Sequence, residues 1–216
     1  MREYRSFISF EGIDFCGKST QIELLVKKLN RMKLSAKVLR EPGGTAISEK
    51  IRQILLDIEN TNMHHNTELL LYSAARAQLV NQSIIPDLEK GIYVLADRFF
   101  DSTTTYQGYG RGIDLNFIEQ INQFATSKLE PYLTFFLDIP PEEAEKRRKK
   151  NKFPRDRMEK GGKLFYNKIR DGYIILWKNN PQRIIKMDGM APANEIASNI
   201  WSTLGEIWNL SSAEKK

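Results

Sequence analysis

Short, continuous apolar runs alternate along this chain with longer stretches whose apolar residues fall at helical spacing. Arg5–Phe10 (RSFISF) predicts a strand, and Lys18–Met32, with Ile22, Leu24, Leu25 and Leu29, predicts a helix. Ala36–Arg40 predicts a second strand, followed by a helix near Ala46–Asp57. A long helical stretch runs from Thr67 toward Glu89, with Pro86 expected to kink it or split off its last turn. Ile92–Ala96 predicts a strand, Asp114–Ser127 a helix and Leu133–Asp138 a strand. Helices over Pro141–Lys150 and Glu159–Asn179, a strand at Arg183–Met187 and a closing helix over Ala193–Trp208 complete the pattern. Five strands alternating with helices predict one α/β domain over residues 1–216, a five-stranded parallel sheet with helices on both faces. In such a sheet ligands bind beyond the carboxyl ends of the strands.

Composition adds little except in one segment. The 216 residues are 41% hydrophobic and 28% charged, which suits a globular chain. No apolar run reaches the roughly 18 residues of a membrane span, and the first residues lack the apolar stretch of a signal peptide. A cytoplasmic location is therefore expected. A single cysteine, Cys16, excludes an internal disulfide and a Cys/His zinc site. Residues 146–160 hold nine basic side chains against Asp156 and Glu159, which exceeds the whole chain's net +6 and leaves the remainder near neutral. One basic segment on a neutral body points to a local anionic partner rather than a surface that coats nucleic acid.

The strongest chemical signal follows the first strand. Gly12-Ile13-Asp14-Phe15-Cys16-Gly17-Lys18-Ser19 fits G-x-x-x-x-G-K-[ST], with a strand before it and a helix after it. Glycines let the loop's N–H groups converge on phosphate oxygens, and Ser19 and Thr20 open a helix whose N-terminus favours anions. Lys18 can bridge the β- and γ-phosphates of ATP, and the Ser19 hydroxyl can ligate Mg²⁺. The guanine-reading N-K-x-D of GTPases is absent, since Asn151-Lys152 continues Phe-Pro and Asn167-Lys168 continues Ile-Arg. The third strand ends in Asp97-Arg98 rather than the Asp-Glu of many hydrolytic ATPases. Asp97 could hold the metal through water while Arg98 grips a second phosphate.

Other residues offer a second site, each with a plainer alternative. Tyr72 and Arg76 share a helix face and could stack on and read a base, or else form an ordinary amphipathic helix with Arg76 snorkelling. The polar run 101–108 could line the site or be a solvated loop. Glu41-Pro42-Gly43-Gly44-Thr45 lies on the same sheet edge, where Thr45 could simply cap a helix. Residues 146–160, with Gly161-Gly162 as a hinge, fit a mobile arginine-bearing lid or a solvated charged face. His64 and His65 read as a polar loop. Cys16 fills a small-residue slot, though the helix terminus and Lys18 could activate its thiol.

Together these residues resemble the thymidylate kinase family over nearly the whole chain. The resemblance rests on Phe10–Asp14 with the P-loop, Arg40-Glu41-Pro42-Gly43-Gly44-Thr45, and Leu70–Arg76. It extends through Asp97-Arg98-Phe99, Ser102–Gly108, the lid's Asp156-Arg157-Met158-Glu159, and Phe165 with Arg170–Tyr173. It implies a P-loop nucleoside monophosphate kinase fold with a mobile lid at about 146–162, transferring phosphoryl from ATP to dTMP with Mg²⁺. It further implies that Asp14 reaches the sugar hydroxyl or metal shell, that Tyr72 stacks on thymine, and that Arg76 reads its O4 edge. Arg98 would bind the acceptor phosphate, with Arg40, Pro42, Thr103 and Gln107 around the acceptor. Tyr106 would disfavour a ribose 2′-hydroxyl, and Arg147 would lie near adenine. Phe15 stands where one class of the family has a P-loop arginine, so this chain resembles the bacterial class with lid arginines. Arg155 and Arg157 are the candidates, with Arg148 behind them. Lys149 and Tyr132 depart from the family's usual arginine and aspartate.

The resemblance also implies a homodimer, with no nucleic-acid or membrane partner. Two rival readings remain distinct. Another nucleoside monophosphate kinase would take UMP or CMP, and a P-loop ATPase binding nucleic acid through 146–160 would show DNA-stimulated hydrolysis with steep salt dependence.

Overall fold

The computed structural model describes residues 4–152, 157–158 and 162–210. Its sheet has five strands in the order β2-β3-β1-β4-β5, every neighbouring pair parallel. They are β1 (Phe7–Glu11), β2 (Ala36–Arg40), β3 (Tyr93–Asp97), β4 (Leu133–Asp138) and β5 (Ile184–Asp188). Every residue of β1 and β4 is buried, as expected for strands covered on both faces. Because all strands run one way, Glu11, Arg40, Asp97, Asp138 and Asp188 close the same edge, and the site is built there.

Helices α1 (Lys18–Arg31), α2 (Ala46–Leu56), α3 (His65–Leu79) and α4 (Ile85–Glu89) follow the predicted boundaries closely. Thr45 caps α2 by accepting from the Ser48 N–H. His64, read as loop, caps α3 with its ring nitrogen accepting from the Asn66 N–H. The break expected at Pro86 takes the form of a π-helical stretch, Val80–Ile84, between α3 and α4. Proline lacks an N–H and its ring crowds the preceding turn, and widening that turn keeps the helix continuous.

The polar run after β3 is helical, not a loop. It comprises α5 (Phe100–Thr103) and a π-helical stretch, Thr104–Gly110, with Thr105, Tyr106 and Gln107 buried. Beyond it lie α6 (Leu115–Ala125), α7 (Pro141–Lys150), α8 (Gly162–Asn179) and α9 (Ala193–Ile207). One core cluster packs Ile8, Phe10 and Phe135 with residues of α1, α8 and α9, and a second packs Phe7, Val94 and Phe99 with residues of α3 and α4. Among the described residues no helix is long and apolar enough to cross a membrane.

Half of the basic segment is local helix chemistry. Glu142 and Glu143 occupy the first turn of α7 and Arg147–Lys150 the last, which complements the helix dipole. Arg147 pairs with Glu143 at 2.9 Å and Arg148 with Glu145 at 2.9 Å, pairs of the i,i+4 and i,i+3 kind.

Candidate active site

The P-loop curls because Gly12 (φ 134°) and Gly17 (φ 105°) adopt left-handed backbone conformations. A Cβ on Gly12 would lie 2.5 Å from the carbonyl oxygen of Leu137, so β4 seals the loop from below. Helix α1 begins at Lys18 with no acidic residue in its first turn, which leaves its positive end free for an anion. Lys18 is buried and its ammonium donates to the carbonyls of Gly12 (3.3 Å) and Ile13 (3.1 Å). The Ser19 hydroxyl donates to Asp97 Oδ2 at 3.0 Å, joining the loop to the end of β3. A hydroxyl beside a carboxylate is the oxygen donor set that suits Mg²⁺ held with waters and phosphate oxygens. Cys16 is buried, and burial pushes its thiol up despite Lys18, which overturns the reading of an activated thiol.

Arg98, directly after β3, joins the loop to the opposite wall. Its backbone is left-handed (φ 73°), unusual for a residue with a Cβ. Nη2 donates to Asp14 Oδ1 at 2.6 Å and to the Tyr106 hydroxyl at 3.1 Å. Nη1 donates to Gly12 O at 2.8 Å, Ser102 Oγ at 3.2 Å and the Tyr173 hydroxyl at 3.3 Å. Asp14 also accepts from the hydroxyls of Tyr106 (3.1 Å) and Tyr166 (3.2 Å). Burial opposes ionisation of Asp14, but Arg98 and Lys18 outweigh it and hold the carboxyl at about 2.

Arg76 is buried rather than snorkelling, and each of its three nitrogens meets a protein acceptor. Nε meets Glu41 Oε2 at 2.6 Å, Nη1 meets Thr103 Oγ1 at 2.7 Å, and Nη2 meets the Phe99 carbonyl at 3.1 Å. Glu41 Oε1 is buried without a hydrogen-bond partner among the described residues. Burial outweighs Arg76 and raises the Glu41 carboxyl. Gln107 donates to Glu68 Oε1 at 2.9 Å, so the amide is oriented by a carboxylate that is itself fully buried.

On the lid side, Arg147 donates to Gly189 O at 3.0 Å and lies 3.4 Å from the carbonyl oxygens of Phe15 and Cys16. Arg157 does not line the cavity. Its Nη1 pairs with Glu68 Oε2 at 2.6 Å and its Nε donates to Leu55 O at 2.7 Å. Arg111 joins the same carboxylate at 3.1 Å. Arg155, the other lid candidate, lies outside the described residues.

Between these walls opens a cavity of about 600 Å³. It brings together Asp14, Phe15, Gly17, Lys18, Ser19 and Thr20 of the loop with Asp97, Arg98 and Arg147. From the second wall it gathers Arg40, Pro42, Tyr72, Arg76, Thr103, Tyr106 and Gln107. Gly12, Ile13 and Cys16 of the loop are buried and do not line the cavity. No sequence signal marks Arg52 and Asn151, which line it, and Glu41, also in the lining, sits in the Arg40–Thr45 motif with nothing in its spacing to assign it a role. Glu11 and Tyr173 likewise sit in the motifs Phe10–Asp14 and Arg170–Tyr173 without a role of their own, and nothing marks Tyr166 or Glu68, because their contacts are long-range and leave no local spacing signal.

A family model described as thymidylate kinase matches residues 10–200. A thymidylate kinase of Caldanaerobacter subterraneus subsp. tengcongensis is 50% identical over 184 residues, covering 85% of this chain and 87% of that protein. One from Prosthecochloris aestuarii is 45% identical over 206 residues, covering 92% of each. The crystal structure of thymidylate kinase from Ehrlichia chaffeensis superposes with a TM-score of 0.73 at 33% identity, over 92% of this chain and 97% of that one.

Proposed function

The chain belongs to the thymidylate kinase family, and from that premise we propose how its own residues carry the reaction. The reaction is transfer of the γ-phosphoryl of ATP to dTMP, giving dTDP and ADP. The observation that carries the assignment of roles is that Lys18 of the P-loop, Arg98 and Arg76 line one and the same cavity.

ATP binds with its phosphates on the N–H groups of Gly12–Ser19, and Lys18 leaves its backbone acceptors for phosphate oxygens. Arg147, tethered at the Gly189 carbonyl, faces the adenine side. Ser19 and Asp97 would hold Mg²⁺, which would offset the charge of the phosphates. Arg98 receives the acceptor phosphate. Arg76, fixed by Glu41, reads the thymine carbonyl edge with Thr103 and Gln107, while Tyr72 stacks on the ring. The acceptor phosphate is anionic near neutral pH, so no strong general base is needed. Alignment and charge neutralisation by pre-oriented groups supply the rate.

Arg155 remains the lid's candidate for the transferring phosphoryl. Arg157, paired with Glu68, anchors the root of the lid. A homodimer is the assembly we favour, supported by exposed apolar residues on adjacent helices: Leu70 of α3, and Leu115, Phe117 and Phe124 of α6. The cytoplasm is the expected location.

The test is ADP formation with dTMP, dUMP, UMP, CMP, AMP and GMP offered separately as acceptors. Preference for dTMP, with dUMP disfavoured only by the roughly 1–3 kcal/mol that a single methyl commands, supports these roles. Preferred turnover of UMP or CMP overturns the base-pocket assignments.

A further inference from the structure

Glu11 is the last residue of β1 and fully buried, yet the roles above leave it without one. A carboxylate out of water is tolerated only when its oxygens are supplied with donors. Oε1 accepts from the Phe99 N–H at 2.6 Å. Oε2 accepts from the hydroxyls of Ser102 at 2.6 Å and Tyr173 at 2.7 Å.

All three donors lead to Arg98. Phe99 is the next residue along the chain, and its N–H belongs to the peptide that leaves the left-handed Arg98 backbone. The oxygens of Ser102 and Tyr173 are the two hydroxyls that accept from Arg98 Nη1. Each hydroxyl oxygen accepts a hydrogen bond from the guanidinium while its own O–H donates to the carboxylate. Two hydroxyl bridges thus join a cation to a buried anion, and α5 and α8 are tied to the same point. Burial and the neighbouring Asp101 push the Glu11 carboxyl up to about 7, while Arg98, Ser102 and Tyr173 act in the opposite sense.

We propose that Glu11 is a positioning residue for the acceptor phosphate: through the Phe99 N–H and the Ser102 and Tyr173 hydroxyls it sets the backbone and guanidinium of Arg98. The proposal rests on the reading of Arg98 as the acceptor-phosphate ligand. Glutamine in place of Glu11 keeps the shape and the bond from Phe99. Its amide nitrogen is a donor, however, and would face two hydroxyl oxygens that already accept from Arg98.

Steady-state kinetics with dTMP and ATP varied separately, on wild type, Glu11→Gln, Arg98→Ala and the double variant, test the proposal. Glu11→Gln is expected to raise the dTMP KM about tenfold, the scale of one hydrogen bond to a charged group, and to leave the ATP KM within about twofold. In the Arg98→Ala background the same substitution should add less than about twofold, because a residue acting through Arg98 has nothing left to act on. A dTMP KM unchanged by Glu11→Gln, equal rises for both substrates, or a full tenfold rise on top of Arg98→Ala would each overturn it. An unchanged dTMP KM in Arg98→Ala itself overturns the reading of Arg98 and the proposal with it.

Should Glu11→Gln not fold, Tyr173→Phe removes one hydroxyl bridge and keeps the ring stacked on Phe136, with centroids 5.1 Å apart. It is expected to raise the dTMP KM about threefold, as half of the bridging lost, and not at all without Arg98. No rise in the Arg98-containing enzyme contradicts the proposal.

Discussion

The two walls of the cavity are made from different materials. The donor wall is backbone: a glycine-turned loop, the free N-terminus of α1, and one lysine resting on the loop's own carbonyls. The acceptor wall is side chain, and its arginines are already matched with carboxylates before any substrate is considered. Arg76 lies on Glu41 and Arg98 on Asp14 of the loop, and behind the wall Arg111 and Arg157 hold Glu68, the carboxylate that orients Gln107. A backbone cradle recognises phosphate by geometry, whereas ion pairs inside the protein hold rigid, directional donors at a cost in desolvation. Losing one cation should therefore mean different things on the two walls.

The largest effect expected is on stability. Arg76→Met leaves Glu41 buried without its partner and should cost about 3–5 kcal/mol, the usual penalty for an orphaned buried charge. Lys18→Met strands backbone carbonyls of the loop and leaves Asp14 its bond from Arg98, so it should change stability by about 1 kcal/mol or less while abolishing most activity. Urea unfolding of the two variants makes the comparison, and equal losses would break it. Gly12→Ala comes next. Its Cβ would press on the Leu137 carbonyl in a conformation that suits glycine, so a loss of about 1–3 kcal/mol is expected, with ATP affinity falling alongside.

Smaller effects sharpen the acceptor side. Tyr106→Ala opens space beside Asp14 and should shift the ratio of kcat/KM for ribo- against deoxyribonucleotide acceptors a few-fold toward the ribonucleotide, on the scale of a modest pocket change. The ratio cancels any general loss from disturbing Arg98, and an unchanged ratio removes this role from Tyr106. Asp14 gives the smallest and most conditional effect. Its carboxyl is held at about 2 against an ordinary value of 3.8, so its contribution to stability is present above about pH 4 and fades as pH falls through 2. Asp14→Asn should flatten that acid limb in a series of thermal midpoints.

How much was legible in the sequence follows the same division. The P-loop was readable in full because a backbone cradle is written in consecutive residues, Gly12 to Ser19. The sheet was readable because buried strands are short apolar runs, and β2 and β4 fall where the pattern placed them. The carboxylates behind the arginines were not. Glu11 and Arg98 are 87 positions apart in the chain, and nothing local marks a glutamate that ends a strand as the hub of another element. The run 101–108 leaves a solvated loop open beside a site-lining segment because its threonines, glutamine and glycine are polar or flexible. Its polar groups are satisfied inside the protein, so burial won over composition. Arg157 is a lid candidate by resemblance to the class with lid arginines, but Glu68, distant in sequence, holds it away from the cavity.

The division between the walls is tested most directly by measuring ATP-analogue and dTMP affinities by calorimetry in Arg98→Ala. A dTMP affinity lower by about a hundredfold, with ATP-analogue affinity within about threefold of wild type, is the result expected for a charged ligand serving only the acceptor. Parallel losses of both affinities would contradict the account.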